Sequence, residues 1–221
     1  MGYCTLTELK GQINKTISTD DVDLQVVIDA ATRAIDRTCK RPDGFVALAT
    51  AVARYYPGSG TPIQRIDECT DITLVEVKDS SSDTTYVAWA ATDYTYASGD
   101  PRRPDFNRTP YTFLIVSPSG DYSVFTQGEY AHQRGFKAVE DLRFAVQTVK
   151  VTAKWGYATA VPADIKMACL MQSARWFKRM EGAMADALAS GDVGMIMYTK
   201  EIDPDIAGIL IRGSYVRQGV G

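Results

Sequence analysis

His132 is the only histidine in the chain. A histidine-based metal site or a hydrolytic triad needs an imidazole among several partners, so a lone one makes either hard to assemble. Cys4, Cys39, Cys69 and Cys169 are far apart in the sequence and form no CxxC pair. They read as free thiols of a reducing compartment, not as a metal or redox centre. Carboxylates offer a third route to chemistry. Asp67-Glu68 and Asp71 precede a strand-like run and could offer oxygen ligands to a divalent ion, although their spacing matches no known calcium loop. Asp20-Asp21, Glu140-Asp141 and Asp203/Asp205 stand at helix starts or in turns, where acidic side chains favour the positive end of a helix. The chain contains no GxSxG elbow, no GxxxxGKS/T phosphate loop and no strand–GxGxxG–helix unit. The expectation is a protein without catalytic residues, metal or cofactor, with carboxylate-only chemistry left open.

Binding is the next possibility. The formal net charge is −3, and a protein that grips DNA by its phosphates needs a clustered basic surface. The candidates, Arg102-Arg103 and the run Arg175-Trp176-Phe177-Lys178-Arg179, are short and read as solvated charge or contacts between subunits. Tyrosines concentrate between Tyr86 and Tyr157. Exposed rings could stack on sugars, so a small-ligand or carbohydrate-binding β module is an alternative. Strand tyrosines packing across a sheet explain the same enrichment. The start, MGYCTLTELKGQI, has no basic segment leading into an apolar run, so no signal peptide is expected, and Leu6 stands where a myristoylation site needs Ser or Thr. No apolar stretch is long enough to span a bilayer.

The elements that would position these residues are easier to read. Thr5-Leu6-Thr7-Glu8 fits a capping box, and the short helix it opens should end near Gly11. Ser18-Thr19-Asp20-Asp21 starts a second helix. Leu24, Val27, Ile28, Ala31, Ile35 and Cys39 follow its apolar rhythm, and Asp29/Arg33 and Asp36/Lys40 lie on its wet side. Arg41-Pro42-Asp43-Gly44 stops it. Phe45 to Tyr56 reads as a third helix. Composition then turns β-branched. Ile72–Lys78 and Thr84–Trp89 form a hairpin around Asp79–Asp83, and further strands are expected at Asp93–Tyr96, Tyr111–Val116, Tyr122–Phe125 and Thr148–Trp155. Ser98–Pro104 reads as a proline-broken loop.

Pro162 should open a helix reaching about Met180. Asp164, Gln172, Arg175, Lys178 and Arg179 share a narrow polar sector, while Ile165, Met167, Cys169, Leu170, Ala174, Trp176 and Phe177 spread over roughly 200°. A face that wide suggests a helix wedged within its own domain, a contact between subunits, or both. Gly194–Tyr198 reads as a short strand or packing loop. Asp203-Pro204-Asp205 begins a last helix through Ile211, and Arg212 to Gly219 carries no core pattern. The predicted class is α+β: a helical bundle core built from the N-terminal part (1–61) and the C-terminal part with its arm (158–221), with an antiparallel β-rich module inserted at 62–157.

This order of elements resembles the head–tail connector (adaptor or head-completion) proteins of tailed bacteriophages. The motifs that carry the likeness are IDAATRAID followed by Cys39, the junction V-x-A-K-W-G-Y…V-P-x-D-I-K-x-A, and the R-x-x-K-R that follows. They fall within residues 1–45 and roughly 148–215. The resemblance implies a structural virion protein at the neck, assembled in the host cytoplasm. It would form a ring of copies of itself, twelvefold by resemblance, between the portal protein and a downstream neck or tail-completion protein. Genome DNA would pass through its lumen without specific binding. It also implies a portal-contacting arm at Arg212, Tyr215 and Arg217, and helix faces for core and ring contacts at Leu24, Ile28, Ile35, Ile165, Cys169, Trp176 and Phe177. A stopper or tail-completion protein that never touches the portal is the nearest alternative.

Overall fold

A computed structural model describes residues 2–128, 146–186 and 202–217. Its elements, in chain order, are α1 (Leu6–Ile13), α2 (Asp21–Thr38), β1 (Val52–Pro57), β2 (Ile63–Val77), β3 (Val87–Ala88), β4 (Tyr94–Asp100), β5 (Arg103–Asp105), β6 (Tyr111–Val116), β7 (Gln147–Trp155), α3 (Ala163–Asp186) and α4 (Pro204–Arg212). The fold is α+β. Two compact units divide the chain, one from Met1–Phe45 with Val161–Gly221 and the other from Val46–Ala160.

The helical unit is built on α2 and α3, with α1 and α4 both packed against α3. The capping box of α1 is formed: the Thr5 hydroxyl accepts from the Glu8 amide and the Glu8 carboxylate accepts from the Thr5 amide at 2.8 Å. Gly11 does not end this helix. It lies inside α1, which stops at Asn14, in the left-handed conformation that asparagine tolerates. Along α2 the residues Leu24, Val27, Ile28, Ala31, Ile35 and the following Cys39 are all buried, as their spacing requires. Asp20 precedes α2 without a side-chain capping bond and pairs with Lys15 at 2.6 Å instead. Asp36 is not on a wet face, because it accepts a short hydrogen bond from the Tyr3 hydroxyl.

In α3, Ile165, Ala168, Cys169, Gln172, Ser173 and Phe177 form one buried stripe at helical spacing. Of these, Gln172 belongs to the polar sector read from the sequence, and Ser173 is a polar residue within the wide face. Gln172 is buried because its side-chain oxygen accepts from the Asp203 amide at the start of α4. Pro162 stands just before α3, where its carbonyl takes the first helical bond from Lys166. Asp203 caps α4, with Pro204 at its first position.

The second unit is a seven-stranded antiparallel sheet with the path β1-β7-β2-β6-β4-β5, and β3 pairing β2. Long β2 joins its two halves. Its early residues pair β6, its later ones pair β7, and Cys69, opposite both Tyr111 and Trp155, marks the irregular crossing between them. On β7 the side chains Val149, Val151, Ala153 and Trp155 alternate into a core with Cys69, Val75, Val77, Trp89, Leu114 and Phe125. Across the other face, Lys150 pairs Glu76 at 2.7 Å and Lys154 pairs Asp71 at 3.1 Å.

Three sequence expectations change here. Phe45–Tyr56 is not a helix: residues 52–57 are β1, whose Val-Ala-Arg-Tyr-Tyr run satisfies its backbone on β7. Ser98–Pro104 is not a free loop, because β4 continues to Asp100 and turns into β5, with Pro104 opposite Gly99 on a terminal strand that tolerates it. Tyr122–Phe125 is not a strand. Phe125 is nevertheless fully buried, and its amide donates to the Thr61 carbonyl.

Candidate functional site

Chemistry first. Among the described residues, no group of three or more His, Cys, Asp or Glu side chains could hold a metal ion. His132, Glu140-Asp141 and the Gly194–Tyr198 segment lie outside the described residues. The carboxylates considered as ligands are already engaged. Asp67 accepts from the Arg54 guanidinium at 2.7 Å and the Tyr56 hydroxyl at 3.0 Å, and Asp71 faces Lys154. Asp21 holds Lys10 at 2.6 Å, while Asp203 and Asp205 both engage Arg175. Burial and the Asp67 carboxylate push the Tyr56 phenol up, so it remains a donor. No helix of the described residues is long and apolar enough to cross a membrane.

Aromatic rings of the sheet unit are turned inward. Trp89 is stacked between Tyr122 at 4.3 Å and Phe125 at 5.0 Å, Tyr96 meets Tyr111 edge-on at 4.4 Å, and Tyr56 packs on Trp155. Tyr55, beside Tyr86, and Phe106 are exceptions, each nearly half exposed. A sugar platform needs free ring faces, and most of these are used in packing.

The sequence motifs resolve into structural roles. In Lys154-Trp155-Gly156-Tyr157 the Trp155 indole donates to the Val52 carbonyl at 2.7 Å. Gly156 sits at φ +145°, where a Cβ would come within 2.4 Å of the Ala47 backbone. In Pro162–Ala168, Asp164 accepts from the Tyr215 hydroxyl at 3.1 Å, and Lys166 reaches Glu8 of α1 at 2.8 Å. That ion pair, with the Thr5 amide and hydroxyl, holds the Glu8 carboxyl down at about 2. In the motif on α2, Thr32 accepts from the Tyr3 amide and donates to the Ile28 carbonyl, and Asp36 anchors Tyr3. Burial foremost, and then the Asp36 carboxylate, raise the Tyr3 phenol far above its ordinary value. Its oxygen also accepts from the Phe45 amide at 3.0 Å.

Of the residues expected on core and ring faces, Leu24, Ile28, Ile35, Ile165, Cys169 and Phe177 are buried within the helical unit itself, whereas Trp176 is half-buried. Of the broad apolar face of α3, Ile165, Cys169 and Phe177 are thus covered by their own unit, Leu170, Ala174 and Trp176 are half-buried and Met167 is exposed. Of the expected arm, Arg212 is exposed at the end of α4. Tyr215 lies edge-on to Phe45 at 5.8 Å, and its carbonyl accepts from Arg41 at 3.0 Å. The Arg217 amide donates to the Cys39 carbonyl. Up to Arg217 the segment is therefore strapped to the helices, and the missing core pattern hid a seat made by single side chains.

What the unit leaves uncovered is a different set. Ile17, Val22 and Val26 are 68%, 75% and 61% exposed, and Met167 and Ile211 also stand open. Val22 and Val26 are one turn apart on α2, opposite its buried face. Both are apolar in the sequence but fall outside the main periodic stripe of α2. Their sign is apolar side chains on the polar side of an otherwise regular amphipathic helix.

A fold comparison aligns this chain with one from the neck of an empty GTA particle computed with C6 symmetry, at 12% identity and a TM-score of 0.49, covering 99% of this chain and 93% of that one. No protein-family profile matches the chain, and neither does any curated protein.

Proposed function

We propose that this chain is a structural subunit of the neck of a tailed-phage-like particle, a ring protein that joins the DNA-filled head to the tail and extends the DNA exit channel. The single observation that carries the reading is the pattern of use of its motif residues. The motifs that resemble the connector proteins hold the helices and sheet in place, while the exposed apolar side chains Ile17, Val22 and Val26 have no partner in the helical unit's core. A chain that spends its distinctive residues on shape and leaves a helix face bare suits assembly better than turnover. Its formal charge of −3 suits a conduit that phosphates pass without adhering. Arg212, exposed at the end of α4, is the residue of the expected arm best placed to meet the portal.

The test mixes the purified chain with portal rings from the same particle and images the product. A closed ring of copies seated on the portal is expected. Val22→Glu with Val26→Glu should leave the monomer folded, since exposed substitutions usually change stability by about 0.5 kcal/mol or less, but should prevent the ring. Arg212→Glu should weaken seating on the portal while the chain stays folded. A wild-type chain that ignores portal rings and joins only tail-side components would establish the stopper or tail-completion reading instead.

A further inference from the structure

Two thiols that lie far apart in the sequence meet inside the helical unit. Cys4, in the segment ahead of α1, and Cys169, in the buried stripe of α3, have their sulfurs 3.5 Å apart. Cys169 is fully buried and Cys4 is 6% exposed. The Thr32 hydroxyl oxygen lies 3.7 Å and the Ser173 hydroxyl 3.9 Å from the Cys169 sulfur; the Thr32 proton goes to the Ile28 carbonyl, so of these two only Ser173 can donate to the sulfur. The segment carrying Cys4 is held by the Tyr3 amide on Thr32 and by the Tyr3 hydroxyl, which donates to Asp36 and accepts from the Phe45 amide. Both thiols are buried, so a small oxidant reaches them through the local openings that folded proteins undergo without global unfolding. The other two thiols are differently placed. Cys39 follows α2, and Cys69 sits in the sheet unit with its thiol toward the Tyr111 carbonyl at 3.8 Å.

We propose that Cys4 and Cys169 are an oxidation site, at which a small hydroperoxide converts the two thiols into an intramolecular disulfide that ties the segment before α1 to α3. The Cys169 thiolate attacks the peroxide: an S–O bond forms, the O–O bond breaks, and the departing oxygen leaves as water with the thiol's proton. The Cys4 sulfur then attacks the Cys169 sulfenic acid. The S–S bond forms, the S–O bond breaks, and the second water carries off the Cys4 proton. Two thiols are oxidised and one hydrogen peroxide is reduced to two waters. The sulfurs, already 3.5 Å apart, must close to a bonded distance of about 2.05 Å. The hydrogen bond from the neighbouring Cys4 thiol, foremost, favours the Cys169 thiolate and lowers its titration against the opposing effect of burial. The site does not depend on the neck reading.

The full-length protein, reduced and then treated with equimolar hydrogen peroxide, is denatured, its free thiols are counted, and its peptides are mapped by mass. Two of the four thiols should disappear, with one linked peptide pair joining Cys4 to Cys169. A second arm uses Cys4→Ser and a sulfenic-acid trap, which should mark Cys169 with no disulfide formed. Four surviving thiols in the wild type, or first oxidation at Cys39 or Cys69, would overturn the proposal. The wild-type map decides the matter alone should the variant fail to fold.

Discussion

Tyr3 joins three parts of the helical unit through one oxygen, which donates to Asp36 and accepts from the Phe45 amide, while its ring lies edge-on to Phe45 at 5.8 Å. Removing that oxygen leaves a half-buried carboxylate and a buried amide without their partner. Tyr3→Phe should therefore cost about 2–3 kcal/mol, read as a lowered denaturant midpoint with an unchanged slope. Glu8 gives a prediction in pH. Its carboxyl is held at about 2 in the fold against an ordinary 4.5, so the unfolded chain binds the proton first as acid is added. The stabilisation from Lys166 and Thr5 is complete above pH 4.5 and disappears as the pH falls through 2. The thermal midpoint of the wild type should accordingly drop more steeply over that window than that of Glu8→Gln. Equal slopes would show that Glu8 contributes nothing through its charge.

Among the elements, two glycines with opposite surroundings separate conformational need from propensity. Gly156 has φ +145° and the Ala47 backbone within 2.4 Å of any added Cβ, so Gly156→Ala should cost more than about 2 kcal/mol. Gly11 lies inside α1 with nothing within 4 Å of an added Cβ, so Gly11→Ala should stabilise by about 0.5–1 kcal/mol. Chemical denaturation of both variants checks the pair. What the sequence made legible follows the same division. Periodicity located α2 and β7 and the capping box located α1, because each rests on a local rule that its own residues satisfy. The strand at 52–57 was hidden because a short run of valine, alanine and tyrosine is compatible with either period, and only its partner β7 decides. Buried Gln172 was hidden because its bond partner, the Asp203 amide, belongs to another helix. The candidate surface was half visible: apolar Val22 and Val26 could be read, but their exposure follows only once the opposite face of α2 is known to be covered. The meeting of Cys4 with Cys169 was illegible for the same reason, since no spacing rule links thiols that distant in the chain.

For the whole molecule, the proposed role is that of a part suited to assembly. Its two ends build a helical unit around α2 and α3, and the intervening residues build the antiparallel sheet. Among the described residues, the candidate carboxylates are engaged with lysine, arginine or helix ends, and the aromatic rings of the sheet mostly pack on each other. The exposed valines of α2 remain as the surface with the least internal purpose, which is why the neck reading rests on association between copies. The most direct measurement is electron microscopy of particles produced with and without this chain. The account predicts that, without it, heads and tails accumulate unjoined and that supplying the wild-type chain restores whole particles. Joined, DNA-retaining particles in its absence would contradict the account.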